Sequence, residues 1–116
     1  MINITSSSRY KISRKQLKNT VKAVLDELGV SSNYILNIIF ICKIKMRRIA
    51  QKYKRENEAL PVLSFPYKQQ IEEGQILGEV FICYPQAVIL AAQRNKTVDY
   101  MLIELIKHGI KNLLNN

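Results

Sequence analysis

The sequence predicts one α/β domain over residues 1–116, in which a small mixed sheet of about four strands packs against helices. Its length of 116 residues is that of one domain. Segments with the apolar spacing of strands, every second residue, alternate along the chain with segments that have the apolar spacing of helices, every third or fourth residue. Hydrophobic residues make up 47% and charged residues 23%, which argues against intrinsic disorder. The longest apolar run, residues 34–42, is too short to cross a bilayer, so we expect no membrane partner.

A short strand and a helix are predicted at the beginning of the chain. Isoleucine alternates with polar residues over Ile2–Thr5, as in a strand. Ser13 is a good N-cap for the helix that follows, and Gln16 would complete a capping box with it. Apolar residues then recur at helical spacing as far as Leu28. Gly29 is placed to end this helix in a left-handed turn.

A buried strand and a basic helix follow. Residues 34–42 are nearly all apolar and rich in β-branched side chains, which predicts a strand buried on both faces. Lys43–Arg55 has the periodicity of a helix, and seven of its thirteen residues are basic. The apolar face of this helix is predicted to hold Met46, Ile49, Ala50 and Tyr53.

Two more strands are predicted after a polar connection over Glu56–Pro61. The first covers Val62–Phe65 and is expected to stop at Pro66. Residues 67–77 are expected to form a loop or a hairpin arm that contains a glycine. The second strand is predicted over Gly78–Tyr84.

Two helices complete the predicted order β-α-β-α-β-β-α-α. Pro85 suits the first position of a helix that runs to about Arg94. Thr97 is the predicted N-cap of the last helix, and Asp99 lies in its first turn, where the helix dipole favours an acid. The inner face of this helix is predicted to hold Val98, Met101, Leu102, Leu105, Gly109 and Leu113.

The excess of positive charge lies in the first half of the chain. The whole sequence has 18 Lys and Arg against 9 Asp and Glu, a net charge of +9. Residues 1–55 hold 13 of the basic residues and only two acids. A one-sided positive surface attracts polyanions, which predicts a nucleic-acid partner, whereas the alternative is a merely solvated lysine-rich surface. The predicted RNA-binding residues are Lys43, Lys45, Arg47, Arg48, Lys52, Lys54 and Arg55.

The cysteines and the single histidine are the remaining candidates for chemistry. Cys42 and Cys83 each lie in an apolar run, which predicts buried thiols in a reducing compartment, here the cytoplasm. His108 follows Leu105 by three residues, so we expect it to point towards the core. An isolated histidine there is more often a hydrogen-bonded core residue than a metal ligand. No Gly-rich phosphate loop, Cys-x-x-Cys pair or Gly-x-Ser-x-Gly motif is present, and Ser64 is expected to be structural.

Several runs of residues, in order along the chain, resemble the YbeY endoribonucleases, which are bacterial ribosomal RNA maturation factors. Val62–Pro66 is similar to the end of that family's Thr-Asp-Val-Leu-Ser-Phe-Pro, and residues 77–83 are similar to its Leu-Gly-Asp-Ile strand. Residues 104–109 resemble the helix that opens its His-Gly-x-x-His-Leu-x-Gly-x-x-His signature. The resemblance implies a zinc-dependent, single-strand-specific endoribonuclease acting on small-subunit ribosomal RNA.

The resemblance also implies that the catalytic set is incomplete. Of the three zinc-binding histidines only His108 remains, since Asn112 occupies the second position and the third falls beyond Asn116. Lys54, the candidate catalytic residue, stands where the family has an arginine, and Leu60-Pro61 replaces its Thr-Asp pair. The chain therefore resembles a degenerate, C-terminally truncated member, with zinc binding weak or absent.

Three functions remain open at this point. The chain could be an active metal-dependent endoribonuclease that matures ribosomal RNA, as the family implies. It could instead be a catalytically inactive relative that binds RNA or the ribosome through its charge. The third alternative is a truncated chain without activity. None of the three requires a small-molecule cofactor, and we expect ribosomal RNA or the ribosome as the partner.

Overall fold

Four strands form one mixed sheet with four helices packed against it. The computed structural model describes residues 1–30, 33–55, 59–72 and 74–115. Its strands are β1 (Ile2–Thr5), β2 (Tyr34–Ile41), β3 (Val62–Ile71) and β4 (Gly74–Cys83). Its helices are α1 (Arg14–Glu27), α2 (Lys43–Lys54), α3 (Tyr84–Gln93) and α4 (Val98–Leu114). The predicted α/β class, mixed sheet and order of elements are confirmed.

The sheet combines parallel and antiparallel pairs. Its strand order is β1-β2-β4-β3. β1 and β4 both run parallel to β2, whereas β3 is antiparallel to β4 and lies at the edge. The carboxyl ends of β1, β2 and β4 therefore meet at one end of the sheet, where α2 and α3 begin.

Alternation along the strands divides the apolar side chains between two clusters. Ile38 of β2 and Val80 of β4 are register partners and belong to the larger core, to which α1, α3 and α4 also contribute. Leu63 and Cys83 point to the opposite face, where α2 inserts Met46 into a smaller cluster. Because successive side chains of a strand point to opposite faces, these two clusters lie on the two sides of the sheet.

The helix ends follow the predicted capping signals. Ser13 Oγ accepts a hydrogen bond from the Gln16 backbone N–H at 3.4 Å, and Thr97 Oγ1 accepts one from that of Tyr100 at 3.1 Å. Gly29 has a φ of 76°, and the next residue's N–H reaches back to the carbonyl of Leu25. This is the Schellman arrangement that a left-handed glycine permits.

The prediction that Pro66 ends its strand is wrong. β3 continues through this residue to Ile71, and β4 begins at Gly74 instead of Gly78, so the pair forms a long hairpin. β3 is an edge strand, where a residue without an N–H is tolerated. The register also shifts between Pro66 and Gln69, which locally relaxes the demand for ladder hydrogen bonds.

Two further expectations about burial need correction. β2 alternates between buried and half-buried positions until its last two residues, so it is not buried on both faces throughout. On α2, Met46 and Ala50 are buried as predicted, but Tyr53 is 57% exposed. The half-buried positions of β2 and the exposure of Tyr53 have the same cause, because α2 covers only part of the sheet face against which it packs. The predicted connection over residues 56–61 lies partly outside the described residues.

Candidate functional site

His108 lies at the surface, in a cleft, so the prediction that it points into the core is wrong. α4 buries Leu105, Ile106, Gly109 and Ile110, whereas His108 is exposed. Residues two apart on a helix are about 200° apart around its axis. His108 is therefore nearly opposite the buried Ile106, and it lies just outside the buried arc of the helix, next to Met101.

The cleft beside His108 carries a net positive charge. It is lined by the start of β3, the end of α3 and one side of α4. Three cations, Arg94, Lys107 and Lys111, surround it. One described acid, Glu104, also lines the cleft. Its Oε1 lies 3.8 Å from Nζ of Lys107, three residues further along the helix, and the two side chains form an ion pair. The cleft is therefore suited to an anion.

The residues present do not fit the zinc ion that the resemblance implies. A protein zinc site normally takes three or four nitrogen, sulfur or carboxylate oxygen donors. Over the ranges that the structure describes, no three His, Cys, Asp or Glu side chains converge to hold a metal ion. His108 offers one imidazole, and Asn112 is exposed one turn further along α4. Arg94 and Lys111 line the same cleft and would repel a cation.

Other sequence-predicted positions divide between this cleft and the α2 surface. Pro61, which the resemblance places at the position of the family's aspartate, lines the His108 cleft. Lys54 ends α2 in an exposed position and is not one of the residues that line this cleft. Its catalytic role stays a prediction. The three cations around His108 were missed, although Lys107 and Lys111 lie within one helical turn of it in the sequence.

A close contact between α4 and the sheet fixes the helical turn that carries His108. The Ser64 hydroxyl donates a hydrogen bond to the carbonyl of Gly109 at 2.8 Å, across the buried interface. A Cβ atom on Gly109 would lie 2.5 Å from Cγ1 of Val80. The absence of a side chain at this position therefore lets α4 approach the sheet closely, and Ser64 has the structural role expected of it.

α2 presents an almost uninterrupted basic surface. The predicted RNA-binding side chains are all exposed except Lys43, which is half-buried. α2 contains no acidic residue. Lys43 and Lys45 lie in its first turn, where the helix dipole disfavours positive charge. A nearby anion would offset that unfavourable interaction.

Cys42 is half-exposed at the N-cap of α2, so the prediction that both thiols are buried holds only for Cys83. Cys42 lines an open cleft at the carboxyl ends of β1 and β2, together with Arg9 and Lys45. Hydrogen bonds from backbone N–H groups, that of Lys45 foremost, lower the pKa of the Cys42 thiol. Burial raises the pKa of the Cys83 thiol. The two cysteines therefore differ in reactivity.

We expect Cys42 to be alkylated by iodoacetamide much faster than Cys83 in the folded protein. The thiolate is the reacting species, and a lowered pKa populates it at lower pH. Mass spectrometry of the digested protein after timed alkylation measures both sites. A Cys42→Ser variant is the control and should react slowly at its remaining thiol. Equal rates for both cysteines without denaturant would contradict the difference in burial and pKa.

No helix in the described part of the chain is long and apolar enough to cross a membrane.

Comparison with known proteins identifies the family. The family model described as Endoribonuclease YbeY matches residues 2–115. An Endoribonuclease YbeY from Thermodesulfovibrio yellowstonii is 35% identical over 81 residues, which are 69% of this chain and 51% of that protein. One from a Sulfurihydrogenibium species is 30% identical over 89% of this chain and 68% of its own length.

A solved structure agrees with the fold. A Thermotoga maritima protein solved in solution covers 97% of this chain with a TM-score of 0.67 and 21% identity, and 71% of its own length is matched. The aligned region spans about half to two-thirds of the two curated relatives described above. The match of the family model to nearly all of the residues shows that the chain belongs to the YbeY endoribonuclease family.

Proposed function

We propose that this chain is an RNA-binding member of its family with an impaired hydrolytic centre, and that ribosomal RNA is its partner. The observation that carries the proposal is the exposed basic surface of α2: residues 43–55 contain seven cations, including Arg55, and no acid. Phosphates on a nucleic-acid backbone are the natural counterpart of such a surface, because binding them releases condensed counterions. Positive charge around the His108 cleft extends the attraction to a second part of the molecule.

The impaired centre follows from the donors around His108. A single imidazole among cations is a poor site for a divalent metal, and Pro61 offers no polar side chain in the same cleft. The relatives bear the name Endoribonuclease YbeY, so an active enzyme is the second candidate function. Family membership favours that candidate, whereas the donor set favours binding without efficient cleavage. We place this activity in the cytoplasm, where ribosomal RNA is processed.

Reversal of three α2 charges should weaken RNA binding at least tenfold. The variant is Lys45→Glu, Arg48→Glu and Lys52→Glu, whose side chains lie along one flank of the helix and are all exposed. Each lost phosphate contact also reduces the slope of log affinity against log salt by about 0.7 for a single strand. Filter binding at several salt concentrations measures both quantities.

The matched control reverses Lys15, Lys18 and Lys22 on α1. These three lysines are also exposed, and the net charge changes by the same amount. We expect the α1 variant to lose much less affinity than the α2 variant. Equal losses of affinity in the two variants would mean that the effect comes from net charge alone. Undiminished binding in the α2 variant would refute the proposed surface.

Incubation of the wild-type protein with labelled RNA and zinc, with and without chelator, tests cleavage separately. Cleavage that the chelator abolishes would establish the active enzyme instead.

A further inference from the structure

An aromatic cleft lies beside the basic flank of α2. β3 and β4 project side chains onto the face of the sheet that α2 covers only in part. Ile49 and Tyr53 of α2 form one wall, and the floor and far wall come from the two strands. Tyr53 is 57% exposed, and Tyr67 on the far wall is 51% exposed. The described residues that line the cleft are Ile49, Tyr53, Phe65, Tyr67, Glu79 and Phe81.

The rings of this cleft are held in place by their neighbours. Phe65 lies edge-to-face with Tyr53 at 5.3 Å between ring centroids, and with Phe81 at 5.6 Å. The Tyr67 hydroxyl donates a hydrogen bond to Glu79, which fixes the second exposed ring. Edge-to-face packing is a favoured aromatic geometry. The two exposed tyrosines are therefore already positioned before any ligand arrives.

Positive charge accompanies the aromatic surface. Lys52 Nζ lies 5.2 Å from the centroid of the Tyr53 ring. Arg48 precedes Lys52 by four residues, so the two cations lie on the same side of α2. Among the residues that the structure describes, Glu79 is the one acid that lines the cleft, and it is hydrogen-bonded to Tyr67. Aromatic faces and adjacent cations are the combination by which proteins hold single-stranded nucleic acids.

We propose that this cleft is a stacking platform for an unpaired base of single-stranded RNA, with Arg48 and Lys52 on the neighbouring phosphates. The proposal rests on the RNA binding proposed above and adds the place in the fold at which one unpaired base is held. In a duplex the base faces are covered by their neighbours, so they are not accessible to Tyr53 and Tyr67. A second copy of this chain is disfavoured as the occupant, because two molecules of net charge +9 repel each other.

The test replaces each exposed tyrosine by leucine and measures the binding of a short labelled single-stranded RNA by fluorescence anisotropy. Tyr53→Leu and Tyr67→Leu should each weaken binding about fivefold to a hundredfold, the measured range for one stacked base. Tyr67→Phe keeps the ring but loses the hydrogen bond that positions it, so it should bind more tightly than Tyr67→Leu and more weakly than the wild type. A duplex of the same sequence should show no difference among these proteins.

Tyr100→Leu on α4 is the matched control. Tyr100 is 46% exposed and has Lys96 Nζ 5.1 Å from its ring centroid, but it lies outside the aromatic cleft. It should bind single-stranded RNA as the wild type does. If both cleft variants bind like the wild type while the α2 charge reversal abolishes binding, the platform is refuted and the proposed RNA function stands. If the wild-type protein binds no RNA, both the stacking platform and the proposed RNA-binding function are refuted. A wild-type dimer that Tyr67→Leu dissociates in ultracentrifugation would identify a second copy as the occupant.

Discussion

Gly78→Ala should lower the free energy of unfolding by about 4 kcal/mol, since backbone strain and overpacking each cost about 1–3 kcal/mol. Gly78 has a φ of +146°, a conformation that side-chain-bearing residues rarely adopt. An added Cβ would lie 2.2 Å from the carbonyl oxygen of Phe65 and 2.9 Å from Cδ2 of Leu113. The first neighbour is backbone of the paired strand, so it cannot rotate away. Relief of this contact requires β3 to move from β4, whereas the contact with Leu113 can be relieved by a shift of that side chain or of α4.

Urea denaturation followed by circular dichroism measures this change. Gly29→Ala is the control, because Gly29 also has a positive φ, of 76°, but nothing lies within 4 Å of its Cβ position. It should cost about 1 kcal/mol, the strain of a left-handed residue alone. The difference between the two variants isolates the close contact of Gly78 with Phe65 and Leu113. Equal losses in both would mean that β3 and α4 do not approach Gly78 this closely.

The elements that the sequence predicted best are those with local signals. Ser13 and Thr97 mark helix starts because the capping hydrogen bond joins residues three apart in the chain. Gly29 marks a helix end for the same local reason. Pro66 was misinterpreted because its tolerance depends on β3 being an edge strand, and strand order is a property of the whole sheet.

The candidate sites were predicted less completely, because a site joins residues from distant elements. The basic residues of α2 lie within one short segment of the sequence, and all of them are exposed except the half-buried Lys43. The aromatic cleft instead brings Tyr53 from α2 beside Phe65 and Tyr67 from β3. His108 was placed on the wrong side of its helix because Ile106 and Ile110 were left out of the predicted apolar face. A helical wheel that includes both isoleucines puts the histidine outside.

Asn112→His should convert the exposed side of α4 into a weak two-histidine metal site. His108 and residue 112 are both exposed and lie four residues apart, so their side chains neighbour each other one helical turn apart. Once a metal ion is bound to one imidazole, the second imidazole is already close to it, so its coordination is an intramolecular step. On that ground the affinity for zinc should rise on the order of a hundredfold. Isothermal titration calorimetry with zinc chloride measures it, and the melting temperature should rise with zinc concentration.

The control for this gain is the double variant His108→Ala, Asn112→His. It keeps one imidazole at the new position and should bind zinc no more tightly than the wild type. Lys107 and Lys111 flank His108 on α4, so their charge should hold the two-histidine site below the affinity of a three-ligand zinc centre. Replacement of Lys111 by glutamine in the Asn112→His background should therefore tighten zinc binding further. If the double variant binds as tightly as Asn112→His alone, the two side chains do not share one ion, and the correspondence of Asn112 with the family's second ligand loses its geometric support.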